Sequence, residues 1–151
     1  MIYLITAILI ITLYISIITI KYGIQKSISF SDVVAEKPYK WFFEITMYVC
    51  GIMLFIYAKY MIFLKIGSVL IFMIGLFPLG QTPKWVRKPH FIIAVSAFIF
   101  CLLSIYLDLN KIYPLLIIVL SSITGYFVFK NKIWAIEIII IYGTLLTLLI
   151  T

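Results

Sequence analysis

The chain has 151 residues, 66% of them hydrophobic and 11% charged. A soluble domain of that length has too little interior to hide so much apolar surface, so lipid must solvate part of it. Twelve Lys/Arg against five Asp/Glu leave a net charge of +7. In a membrane chain such an excess marks cytoplasmic loops and anionic headgroups; with no basic, aromatic-interleaved run on a soluble surface, it does not point to nucleic acid.

The first predicted element is Ile2–Ile20, an uncharged apolar run long enough to span a bilayer. It lacks a basic n-region and a small-residue cleavage site, so it reads as a retained helix and not a signal peptide. Thr12, Ser16 and Thr19 fall on one face, suited to packing against other helices. Residues 21–40, KYGIQKSISFSDVVAEKPYK, form the longest polar connector and the only one large enough to fold over the mouth of a bundle. Within it Ser31-Asp32 resembles a cap signal and Pro38 limits helix continuation.

The second span is expected over 41–58 and the third over 62–79, with Lys59 and Lys65 flanking the start of the third. Lys65 is placed to snorkel to the headgroups. A basic, proline-marked connector follows, carrying Lys84, Trp85, Arg87 and Lys88, and His90 opens the fourth span, 90–107, behind Pro89. Ala94, Ala97, Cys101 and Ser104 make a small-residue seam along that helix. The fifth span, 112–129, has Pro114 early and a Ser121, Ser122, Gly125 patch; the sixth is 133–150. Cys50 and Cys101 lie inside apolar runs, outside any CxxC or metal-ligand spacing, and read as small hydrophobes.

Six apolar runs joined by short connectors predict an all-α, polytopic membrane protein, an antiparallel bundle of six transmembrane helices in one integral membrane domain. Each helix satisfies its own backbone in lipid. The runs do not alternate, which argues against a barrel. The odd connectors hold Lys21, Lys26, Lys37, Lys40, Lys84, Arg87, Lys88, Lys130 and Lys132, whereas the even ones hold Lys59, Lys65 and Lys111. This bias places the odd connectors in the cytoplasm and both termini outside, in what is expected to be a bacterial inner membrane.

Trp41, Trp85, Trp134, His90 and four of the five acids also gather at the odd-connector face. Glu44 and Glu137 sit about 5–6 Å below it at the helical rise. Asp32, Glu44, His90 and Glu137 together read as a proton relay, a metal site or a headgroup pocket; alternatively the two glutamates pair with Lys40, Lys130 or Lys132 at the interface. A single histidine is too few for a zinc hydrolase. Ser29 or Ser31 with His90 and Asp32 lacks a nucleophile-elbow pattern. The central thirds of the spans offer little to a polar solute, as a transporter would require.

The sequence therefore points to a non-enzymatic protein without metal or cofactor. Its basic, tryptophan-rich face, with Asp32, Trp41, Glu44, Lys84, Trp85, Arg87, Lys88, His90 and Glu137, is expected to engage membrane lipids with anionic headgroups, or a membrane or peripheral protein partner. A membrane-embedded lipid-modifying enzyme and a small carrier or channel are the alternatives.

Several short motifs carry a resemblance: SISFSDVVAEKPYKWFF at 27–43, FIYAKY at the end of the second run, Gly75-Leu76-Phe77-Pro78, and His90-Phe91 with Ala94 and Phe98. Together they resemble the DRAM/Sfk-like family of six-span membrane proteins and its small bacterial relatives. The resemblance implies six spans, no established catalytic reaction, and a role in lipid organisation, lipid remodelling or partner recruitment. The chain departs from the family pattern at Glu36-Lys37-Pro38, which replaces a Pro-Pro-Glu type ending. In the eukaryotic relatives the first connector faces away from the cytosol, opposite to the charge bias here.

Overall fold

The computed structural model describes residues 1–25, 28, 39–77 and 87–151. Ser29, Ser31, Asp32, Lys84 and Trp85, and the side chains of Lys40 and Arg87, lie outside the described residues. The fold is all-helical over the described residues, with six helices in chain order. They are α1 (Ile2–Tyr22), α2 (Tyr39–Tyr57), α3 (Ile62–Leu76), α4 (Arg87–Leu103, continued by a π turn over Ser104–Asp108), α5 (Ile112–Val128) and α6 (Lys132–Leu149). Among the described residues, three stretches are long and apolar enough to cross a membrane: α1, Lys88–Asp108 and α6. Trp41–Tyr57, Ile62–Leu76 and Ile112–Val128 are shorter apolar helices.

The hydrophobic periodicity explains both faces of these helices. In α1, Leu4, Ala7, Ile11, Tyr14 and Ile18 recur at steps of three and four and are buried, while Ile5, Leu9, Leu13 and Ile20 point outward. A helix that is apolar all round needs a non-aqueous medium on its outer side. The ends follow local chemistry. Gly23, with φ 73°, closes α1, and its N–H donates to the Thr19 carbonyl at 2.9 Å. Asn110 takes a left-handed φ of 54° before α5, a conformation asparagine tolerates, whereas Lys59 at φ 28° between α2 and α3 is a strained lysine. α4 begins at Arg87, three residues ahead of His90. Pro89 therefore sits in the first turn, where its missing N–H costs nothing.

Consecutive helices run in opposite directions. Cys50 of α2 lies 3.6 Å from the Ala7 carbonyl of α1, and Tyr14 packs its ring at 5.6 Å from Phe42 and 5.7 Å from Phe43. A methyl added at Gly51 would come within 2.8 Å of the Phe72 nitrogen, so α2 and α3 touch backbone to backbone, and Tyr48 donates to the Gly75 carbonyl at 3.1 Å. Gly67 of α3 admits Cys101 of α4 in the same way. Ala94, Ala97, Cys101 and Ser104 are all buried, and this seam packs inside the molecule against α3. The π turn ends α4 with Leu109 N–H donating to the Ser104 carbonyl at 3.0 Å. Its wider turn carries Asp108 to the start of α3, where Oδ2 accepts the Leu64 N–H at 3.1 Å and caps that helix.

α5 and α6 form a separate hairpin, with Gly125 against Ile139 and Gly143 against Ile118. The hairpin joins the α1–α4 group through α6 by directed hydrogen bonds. Tyr142 donates to Thr12 Oγ1, Tyr57 to the Leu148 carbonyl, and Asn131 Nδ2 to the Ile24 carbonyl, each at 2.9 Å. Because α2, α4 and α6 all start at one end, that end collects Trp41, Lys88, Lys130, Lys132 and Trp134. The other end carries the exposed Lys59, Tyr60, Lys111 and Tyr113.

Candidate functional site

The first connector is drawn into the molecule at Ile28. This side chain is 6% exposed and belongs to the core, and its backbone N–H donates to the Glu137 carboxyl. With Asn131 holding the Ile24 carbonyl, the chain after α1 is tied across the start of α6. Glu137 itself sits more than a turn inside α6. Its carboxyl meets a backbone donor and not a neighbouring lysine, because Lys132 instead lies over the Tyr126 ring, 4.4 Å from its centroid.

Below Ile28 and Glu137 lies a cavity between α6 and the α1–α4 group. Its walls run from Phe43 to Leu54 on α2 and from Glu137 to Leu148 on α6, a length of about 16 Å at the helical rise. Ala7, Ile71, Ala97 and Cys101 close its sides. The space open to the centre of a water-sized molecule is ≈ 90 Å³, well above the roughly 10–15 Å³ that one water occupies. Left empty, a void of that size costs about 2 kcal/mol at about 24 cal/mol per Å³.

Among the described residues, the polar side-chain oxygens in this wall belong to Glu137 and Thr144; the latter residue is 5% exposed and its hydroxyl has no hydrogen-bond partner. A buried water needs two to four polar partners. Two groups two helical turns apart do not supply that along the whole cavity, so it suits an apolar chain with polar functions at defined depths.

The residues picked out in the sequence separate into different roles. His90 is fully buried in the first turn of α4. Its Nδ1 lies 2.6 Å from the Phe77 carbonyl just past α3, with Phe91 edge-on at 5.7 Å. It thereby ties the end of one helix to the start of the next, satisfying a carbonyl that α3 leaves without an intrahelical donor. Glu44 is half-buried on α2, and its backbone carbonyl lies close under Gly75. Trp41, 57% exposed, and Lys88 face outward at the same end. Asp32, Lys84 and Trp85 lie outside the described residues.

The sequence reasoning missed Ile28, Thr144 and the cavity. Ile28 had a signal, an apolar residue isolated in a polar connector. Thr144 had none to distinguish it from Thr147. Among the described residues, no group of three His, Cys, Asp or Glu side chains is placed to hold a metal ion. Compared with family models, curated proteins and solved structures, the chain matches none.

Proposed function

We propose that this is a non-catalytic integral membrane protein, of the DRAM/Sfk-like kind, whose six helices all cross the bilayer and whose basic end engages anionic lipid headgroups. One observation carries the reading. α2, α4 and α6 begin at the same end, none has an acid in its first turn, and Lys88 and Lys132 occupy the first turns of α4 and α6. A helix start already bears partial positive charge and favours anions, so lysines there oppose the usual stabilising arrangement. Phosphate groups supplied from outside turn that repulsion into attraction, and exposed Trp41 suits the headgroup level.

Exposed Ile, Leu, Val or Phe side chains on each of the six helices support immersion in lipid. α3, at 15 residues, reaches about 22 Å, short of a hydrocarbon core of about 30 Å. Lys65, half-buried near its start, and local thinning make up the difference. On this reading the membrane is the bacterial inner membrane, with the basic end cytoplasmic and both termini outside. The engagement of His90 with Phe77 favours a structural role for it over a catalytic one.

The test is reconstitution into nanodiscs of mixed phosphatidylglycerol and phosphatidylcholine, followed by analysis of the co-purifying lipid. Replacing Lys88, Lys130 and Lys132 together with Gln, and separately Lys84, Arg87 and Lys88, should reduce the enrichment of phosphatidylglycerol severalfold and leave insertion intact. Unchanged enrichment would contradict the proposal.

A further inference from the structure

We infer that the cavity between α6 and the α1–α4 group binds one molecule of an uncharged single-chain glyceride, a monoacylglycerol-type amphiphile, with a head hydroxyl on Glu137 and the ester carbonyl on Thr144. This rests on the membrane placement above but not on the headgroup contact of the basic end.

Glu137 is an acceptor at the polar end of the cavity. The Ile28 N–H occupies one carboxyl oxygen, Oε2, which leaves Oε1 for a ligand donor. Thr144 is the second anchor. Helical threonines normally return their hydroxyl to the carbonyl four residues back. Thr147, in the same helix, donates to Gly143 at 2.8 Å, Thr124 to Leu120 at 2.9 Å, and Thr6 to Ile2 at 3.0 Å. Thr144 makes no such bond, although it is buried in the cavity wall. A hydroxyl withheld from its own helix at the edge of an unfilled space is matched to an oxygen on the occupant.

Glu137 and Thr144 are two turns apart, about 10 Å along the axis. A glycerol hydroxyl and the ester carbonyl of the same head, with a hydrogen bond of about 2.8 Å at each end, cover a distance of that order. Beyond Thr144 the walls are Leu54, Leu64 and Leu148, which suit the start of an alkyl chain. Phe98 of α4 and Ile141 of α6, both half-buried, line the cavity between the levels of the two anchors, beside the glycerol ester. A phosphate or carboxylate head brings acceptors against the acceptor Glu137 and is disfavoured. A simple long-chain alcohol satisfies Glu137 but offers Thr144 nothing.

The full chain, purified in detergent, is titrated with 1-monooleoylglycerol, oleate and oleyl alcohol, and the bound species are counted by native mass spectrometry. One molecule of 1-monooleoylglycerol should bind, at least tenfold tighter than oleate. Thr144→Val, which keeps the side chain's shape, should weaken it about tenfold. Thr46→Val should leave it unchanged, because Thr46 also has a buried hydroxyl without a partner but lies outside the cavity wall. Glu137→Ala should also weaken binding, but it releases the Ile28 tether as well, so Thr144→Val decides. Absence of a one-to-one complex, binding indifferent to Thr144→Val, or oleate binding as tightly as the glyceride would each overturn the assignment. Should any of these results appear while phosphatidylglycerol enrichment still depends on the lysines, the cavity assignment alone would fall and the headgroup reading would stand.

Discussion

α2 and α3 meet at Gly51, where backbone lies against backbone; α6 and α1 meet through a hydroxyl pair, Tyr142 to Thr12 at 2.9 Å. Both arrangements answer one difficulty. In the six-span membrane placement proposed above, helices gain nothing from hydrophobic burial against each other, so close approach over small residues or directed hydrogen bonds must hold them together. The α1–α4 group relies on approach, at Gly51, Gly67 and Gly75. The α5–α6 hairpin has its own glycines facing inward, at Gly125 and Gly143, and among the described residues none lets α6 close on α1 or α4. The cavity lies along that looser seam. The lesson is that where the close-packing residues stop, the molecule keeps its internal space.

The largest effect that would separate the two regions is at Gly51. Gly51→Ala sets a methyl against the Phe72 nitrogen and the Ser68 carbonyl, and forcing these helices apart should cost about 1–3 kcal/mol. Gly143→Ala meets the Ile118 side chain and no backbone atom; that side chain is stiff at χ1 and must shift as a whole, but alanine returns up to about 1 kcal/mol of helix propensity. Unfolding of the purified variants by denaturing detergent should therefore rank Gly51→Ala well below Gly143→Ala; equal losses would remove the distinction.

A middle-sized effect belongs to Asp108. Asp108→Ala strips the cap from α3 and should cost about 1 kcal/mol, whereas Asp108→Asn, which keeps an acceptor, should recover most of it. If both variants melted like the parent, the π turn would have no capping role.

The smallest effect sharpens the seam itself. Tyr142→Phe removes one interhelical hydrogen bond, worth about 0.6 kcal/mol in a membrane protein. It should raise hydrogen exchange in α5 and α6 severalfold while leaving α2 and α3 untouched. Uniform acceleration across all six helices would mean that the hairpin does not move as a unit.

The helices were legible in the sequence because each apolar run is bounded by something that stops a helix or begins one. Gly23 ends α1, and the four-residue break Ala58–Met61, with Lys59 in it, separates α2 from α3. Prolines 89 and 114 sit in first turns. The burial of Ala94, Ala97, Cys101 and Ser104 was legible too, since their spacing alone puts them on one face. The site was much less so. His90 looked like chemistry because it is the only histidine, yet the carbonyl it ties down belongs to Phe77, thirteen residues earlier at the end of α3. For Glu137 the sequence offered a polar cluster or a pairing with Lys40, Lys130 or Lys132; the partner in the structure is the backbone of residue 28. Contacts of that range depend on how the connector folds back, which residue spacing does not encode. The withheld hydroxyl of Thr144 depends on a rotamer, which no sequence pattern records.

The central claim is that the lysine-bearing starts of α4 and α6 share one face of a membrane and the turn after α2 lies on the other. Single cysteines at Lys88, Lys130, Tyr60 and Tyr113, in a chain with Cys50 and Cys101 replaced by Ala, test it when intact cells are treated with a membrane-impermeant maleimide. The account predicts that the Tyr60 and Tyr113 positions react in intact cells, and that the Lys88 and Lys130 positions react only after the membrane is opened. Labelling that divides Lys88 from Lys130, or reaches all four positions from outside, would contradict it.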